Sequence, residues 1–260
     1  MCGRYASTKN PATLAAEFDA VDASGVTAPT ADFNVAPTKD VLAVVQRHPR
    51  EPGGDRDPAR TERSIRAMRW GLVPHWAKDV SIGSRMINAR AESITSKPAF
   101  RSVFKRRRCL LPADGWYEWK GESGRKQPYF MTTPDESSLA LAGIWTTWHD
   151  PGAAADTPPL VTCSVLTTAA VGQLTAIHPR MPLTLPDEGW ARWLDPDLED
   201  VTDLLAPSTE VVESLELRPV STAVNKVANN GSRLVERVPD TAVPDPPQPV
   251  GLDRAGGEPG

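Results

Sequence analysis

Three apolar runs constrain this chain most: Asp40–Val45, Leu139–Trp145 and Leu160–Leu166. Each is six or seven residues long, the length of a buried strand rather than of a core helix. The last two are separated by residues 150–159 (DPGAAADTPP), whose Pro, Gly and Asp read as an exposed loop between strands. Residues 48–61 (HPREPGGDRDPART) read the same way after the first run. Helices are fewer. Asn10–Phe18 offers a capping Asn, a Pro in the first turn, and Leu14 and Phe18 four apart. Pro186–Leu194 begins another, with acids near its positive end, and Val201–Leu205 fits a short turn. Strands and helices do not alternate regularly, which argues against a doubly wound parallel sheet. The fold class read from the chain is α+β: a single strand-dominated domain with a few peripheral helices, over residues 2–238. Residues 239–260 hold six Pro and little to bury, and read as a disordered tail.

A chain of 260 residues with 40% hydrophobic content is long enough for a large core. No apolar run approaches the roughly 20 residues that span a bilayer, and the N-terminus has no apolar stretch of signal type. Cys2, Cys109 and Cys163 form an odd set without framework spacing, as in a reducing cytosol without structural disulfides. The expectation is a cytoplasmic protein with no membrane partner. A net charge of −4 argues weakly against nucleic acid, but it is unevenly spread. Residues 62–108 carry twelve Lys/Arg and three Asp/Glu, a balance of +9 that leaves −13 for the rest. That segment fits the footprint of an anion such as a phosphate backbone, and equally a solvated basic face. Within it, Lys105–Arg108 runs into Cys109–Leu111 and reads as a solvated strand entry. Strand alternation keeps all four from facing one ligand.

Cys2 follows the initiator Met. A small residue there is what methionine aminopeptidases accept, and removal of Met1 leaves an α-amine and a thiol on adjacent carbons. That pair condenses with an aldehyde and closes a five-membered thiazolidine. An α-amine titrates near ~8 and a thiol near ~8.5, so part of each is nucleophilic at neutral pH. By position alone, Cys2 also fits a small residue at a frayed end. Glu118 lies between Tyr117 and Trp119. Among aromatic rings its pKa would rise towards neutrality, as a proton donor requires; on an alternating strand it would instead face solvent. His178 stands between two prolines beside Arg180 (IHPRMP), a rigid setting for acid–base work next to an anion, or a loop His without a task. Asn88, Arg90 and Glu92 share one face if extended, an arrangement suited to an oxygen-rich ligand. Trp76, beside His75, Lys78 and Arg85, is the ring best placed to face a ligand; core packing is the default for each Trp. The four His and three Cys show no metal-ligand spacing, and no phosphate-binding glycine motif follows a strand. Neither a metal nor a cofactor is expected.

Eight segments in order resemble one family, the SOS response-associated peptidases, understood as abasic-site shields. They are Met1–Tyr5 (MCGRY), Phe33–Thr38 (FNVAPT), Arg69–Pro74 (RWGLVP), Ile87–Glu92 (INARAE), Ala113–Trp119 (ADGWYEW), Leu166–Ala170 (LTTAA), Ile177–Pro182 (IHPRMP) and Pro219–Asn225. The resemblance implies that Cys2 captures the aldehyde of an abasic site in single-stranded DNA as a thiazolidine crosslink. It implies Glu118 as the acid–base group, His178 as a proton shuttle with Thr167 beside it, and Asn88 holding the N-terminus. Arg4, Arg90 and Arg180 would hold phosphates, with Lys97 and Arg101 both fitting a further basic position. Trp76 and Pro37 would pack against splayed bases. Weak lyase activity, a protease activity on the first residue, and a monomer acting on the nucleoid if the cell is bacterial complete the expectation. The alternative is an N-terminal-nucleophile hydrolase in which the Cys2 thiolate attacks a peptide or amide.

Overall fold

The three apolar runs all become strands. A computed structural model of the chain describes residues 2–27, 30–49, 54, 57–121 and 126–239. The first elements are β1 (Tyr5–Ser7), α1 (Pro11–Glu17), β2 (Val21–Asp22), β3 (Asp32–Val35), β4 (Asp40–Arg47) and β5 (Glu62–Trp70). There follow β6 (Asn88–Arg90), α2 (Pro98–Arg106), β7 (Arg108–Ala113), β8 (Gly115–Lys120) and β9 (Gln127–Thr132). The last are β10 (Leu139–Trp148), β11 (Leu160–Ala169), β12 (Arg180–Pro182), α3 (Asp187–Leu194), α4 (Thr209–Ser214) and β13 (Glu216–Pro219). The fold is α+β and strand-dominated, as expected. Asn10 caps α1 by accepting the Thr13 amide at 2.9 Å.

One sheet runs β13-β9-β8-β1-β3, with every pairing antiparallel. The other runs β12-β11-β10-β7-β4-β5-β2 and closes on itself, because β5 returns to β11 in parallel at Arg69–Thr162 and Trp70–Cys163. Closure removes the exposed edges that an open sheet would carry. Past Trp70 the edge of β11 is taken over by β6, which pairs Val165–Thr167. The handover needs two glycines back to back. A Cβ on Gly71 would meet the Gly83 carbonyl oxygen at 2.7 Å, and one on Gly83 the Gly71 oxygen at 2.6 Å. A core of Tyr5, Trp70, Trp116, Trp145 and their neighbours fills the space around both sheets. A second, with Leu14, Phe18, Phe104 and Trp193, seals α1, α2 and α3 onto the closed sheet.

Residues 149–159 join β10 to β11, and the stretch from His48 to Thr61 joins β4 to β5; residues 50–53, 55 and 56 of the latter lie outside the described residues. So do residues 240–260 of the tail. Among the described residues no helix is long and apolar enough to cross a membrane.

The basic run is not a solvated strand entry as expected: only Arg108 opens a strand, and it is buried. Lys105 and Arg106 close α2, where Pro98 opens the helix and Phe100 and Phe104, four apart, bury one stripe. Arg108 is 3% exposed. Its guanidinium donates to the carbonyls of Phe104 and Lys105 at the end of α2, and of Trp193, Asp195 and Leu198 at and beyond the end of α3. A fixed cation thus binds two helix C-termini at once, where the helix dipoles are negative. Burial pushes its pKa down to about 10, so it stays charged at neutral pH. Arg108→Met keeps the stem but orphans these carbonyls. We expect a loss of about 3–5 kcal/mol, read as a lower urea midpoint with an unchanged slope. A loss under ~1 kcal/mol would mean that water serves the carbonyls equally well.

Candidate active site

The N-terminus is not a frayed end. β1 lies inside the five-stranded sheet, with Tyr5 paired to Trp116 of β8 on one side and Val35 of β3 on the other. The Tyr117 amide donates to the Arg4 carbonyl at 2.9 Å, extending the ladder towards Cys2. β8 and β9 approach so closely that a Cβ on Gly115 would meet the Met131 carbonyl oxygen at 2.3 Å. Cys2 is 5% exposed, and its carbonyl accepts from Asn88 Nδ2 at 2.9 Å. Asn88 begins β6, so the handover on β11 is what carries its amide to the chain terminus. The Asn88 Oδ1 atom is buried without a hydrogen-bond partner among the described residues.

Glu118 is two residues beyond Trp116 and shares its face of β8. Both faces of that strand are covered, by the large core on the Trp116 side and by Tyr117, Phe130, Val220 and Val224 on the other. Alternation therefore does not expose Glu118, which is 3% accessible. Desolvation raises its pKa; His178 and a hydrogen bond with Cys2 pull the other way without cancelling the rise. The Cys2 thiol is pushed well above its ordinary value, first by burial and then by the Glu118 carboxylate.

His178 Nδ1 is 3.8 Å from Glu118 Oε2. The Arg180 amide donates to Nδ1 at 3.0 Å when the ring is neutral, leaving the proton on Nε2. A protonated ring instead donates from Nδ1 to the Arg180 carbonyl at 2.9 Å. The backbone between Pro179 and Pro182 thus accommodates both states. The Arg180 guanidinium donates to the Thr167 carbonyl at 2.6 Å and pairs with Glu92 through both Nη atoms. Asn88, Cys2, Glu118, His178, Arg180 and Thr167 form one continuous line of contacts.

The other expected residues lie off that line. Arg4 turns inward: its Nη1 donates to Asn34 Oδ1 at 2.7 Å and to the Val224 carbonyl at 2.8 Å, with its guanidinium 6.0 Å from the Trp119 ring. Trp76 is 57% exposed. Arg90, Lys97 and Arg101 are exposed and Pro37 is half-buried. Glu92 does not share a strand face with Asn88 and Arg90, because a 3-10 turn at Ala91–Ser93 ends the extended segment and sends it to Arg180. Asn34 has a role that sequence reasoning missed. Fully buried, it binds Arg4 and donates to the carbonyls of Val224, Lys226 and Asn229. Its signal was a lone amide between Phe33 and Val35 in a strand. Among the described residues no three His, Cys, Asp or Glu gather in a way that could hold a metal ion.

The family model described as SOS response associated peptidase (SRAP) matches residues 1–227. The abasic site processing protein YoqW of Bacillus subtilis is 34% identical over 249 residues, covering 91% of this chain and 99% of that protein. The abasic site processing protein YedK of Escherichia coli is 29% identical over 243 residues, 92% of this chain and 100% of that one. A crystal structure of a protein from Bacteroides thetaiotaomicron shares the fold, with a TM-score of 0.75 at 23% identity over 91% of this chain and 100% of that one.

Proposed function

This chain belongs to the SOS response associated peptidase family, and we propose that it processes abasic sites in DNA. The finer reading is covalent capture in single-stranded DNA by Cys2, after Met1 is removed. The α-amine of Cys2 adds to the C1′ aldehyde of the ring-opened sugar. Protonated Glu118 supplies the proton with which the hydroxyl of the carbinolamine leaves as water, giving an iminium ion. The Cys2 sulfur then adds to C1′ and its proton passes to the Glu118 carboxylate, restoring the acid, while the ring nitrogen keeps the hydrogen it carried in the iminium. One C–S and one C–N bond form, one water leaves, and nothing is oxidised or reduced. His178 exchanges protons between Glu118 and solvent and assists reversal. Asn88 fixes the main chain of Cys2. Arg90 and Arg180 meet phosphates beside the lesion, with Lys97 or Arg101 further along, and Trp76 and Pro37 contact splayed bases. The iminium also permits β-elimination, hence a weak lyase side reaction, and the family's peptidase description is read as self-processing of Met1.

The observation that carries this reading is the placement of Cys2 between Asn88 and Glu118, with His178 next in line. A carboxyl held towards its neutral form is what proton donation near pH 7 needs. The protonated thiol favours attack by the amine first, against a hydrolase that starts from a thiolate. Intact mass spectrometry tests the reading. Incubation with single-stranded DNA bearing one abasic site should yield a denaturation-resistant species at the summed masses less one water, mapping to Cys2. A chain that has lost Met1 and forms no adduct would return the hydrolase reading.

A further inference from the structure

Glu92 has no task in the reaction above, yet its position is unusual. It is the single acid between residues 80 and 108, a stretch with eight Lys and Arg. Its carboxylate meets Arg180 fork to fork, Nη1 to Oε1 and Nη2 to Oε2, the latter at 3.0 Å. Two oxygens set across a guanidinium reproduce the geometry of an Arg–phosphate pair. The Glu92 side chain is 50% exposed and that of Arg180 21%, so the pair can be reached from solvent, with Arg180 two residues along the chain from His178. Glu92 is not needed to hold Arg180 there. Nη2 donates independently to the Thr167 carbonyl at 2.6 Å, and the Arg180 backbone is fixed by β12 pairing with Ala169.

We propose that Glu92 is a specificity-determining residue: it occupies the phosphate position at Arg180 in the free protein, and a DNA phosphate must displace it to bind. The inference rests on the DNA reading above. The competition acts on reversible contact with every strand, damaged or intact. It does not act on the covalent step at Cys2. Intact strands are therefore released quickly, while an abasic strand is retained by its bond to the protein.

The test is Glu92→Gln, which keeps the shape and removes the charge, compared with Glu92→Asp, which keeps the charge. Both are checked for wild-type thermal midpoints. Binding of a fluorescent single-stranded oligonucleotide without an abasic site is measured across a salt series. Glu92→Gln should bind about 5-fold more tightly at low salt, with the slope of log K against log salt steeper by about 0.7, the effect of one more positive charge left uncompensated at the strand. Glu92→Asp should stay near wild type. Unchanged or weaker binding by Glu92→Gln overturns the inference. So does a reduced crosslinking rate at saturating abasic DNA with unaltered affinity, which would make Glu92 a positioning residue. A gain as large in Glu92→Asp overturns it as well. Wild-type protein that binds DNA while Glu92→Gln gains nothing removes only this inference; wild-type protein without salt-dependent binding removes the DNA reading and this one together.

Discussion

Replacing Cys2 by Ala should abolish the proposed denaturation-resistant adduct with abasic DNA, and Cys2→Ser should leave at most a Schiff base that borohydride can trap. The two variants separate the two bonds. In Cys2→Ala the α-amine survives and can still reach the iminium, but no second nucleophile closes the ring, so hydrolysis reverses the bond. In Cys2→Ser the hydroxyl can close only an oxazolidine, which reopens readily. Neither change should unfold the chain. Cys2 is buried, but Asn88 holds its carbonyl rather than its sulfur, and a small cavity costs about 1 kcal/mol. The reading is checked on denaturing gels, with and without borohydride, after mass spectrometry has shown that Met1 is absent. A stable adduct from Cys2→Ala at the wild-type rate would mean that another nucleophile does the work, and the function proposed here would fail.

What the sequence discloses is uneven, for physical reasons. The strands β4, β10 and β11 are legible because each holds a short, mainly apolar run of the kind that a sheet buried on both faces requires. Helix α1 is legible because its cap and its first-turn Pro are local signals. Helix α2 is not, since its two Phe residues are embedded in a basic stretch and a run of four cations looks solvated. Only the tertiary structure reveals that Arg108 serves the carbonyls of two helix ends. Closure of the sheet by β5 on β11 is likewise silent in the sequence, because it joins residues some ninety positions apart. The site inherits this limit. Cys2, Asn88, Glu118 and His178 each carry a local hint, but their contacts depend on β1 lying inside one sheet and β6 completing the edge of the other. The same holds for Glu118, whose strand could be read with either face outward until both proved covered.

Glu118→Gln should lower the crosslinking rate by about 100-fold or more and at the same time stabilise the protein at neutral pH. Loss of a positioned proton donor typically costs 10²–10⁴ in rate, and the amide can neither donate an acidic proton nor take up the thiol proton as the ring closes. The stability change follows from linkage. Burial raises the Glu118 pKa in the folded state above its unfolded value. Between those two values the native state binds the extra proton, so stability falls as pH rises through that window and stays reduced above it. The uncharged Gln escapes this penalty. The difference in thermal midpoint between Glu118→Gln and wild type should therefore be positive at pH 7 to 8 and shrink to nothing below about pH 4, where the unfolded carboxyl is also protonated. The activity of wild type should fall on the alkaline side as Glu118 loses its proton, and on the acid side as the α-amine gains one. Slow crosslinking with a lower midpoint at neutral pH would assign Glu118 a structural role instead, held charged by Cys2 and His178. A slow variant with a higher midpoint would show that this buried carboxyl lowers the stability of the fold because the chemistry at Cys2 needs it there.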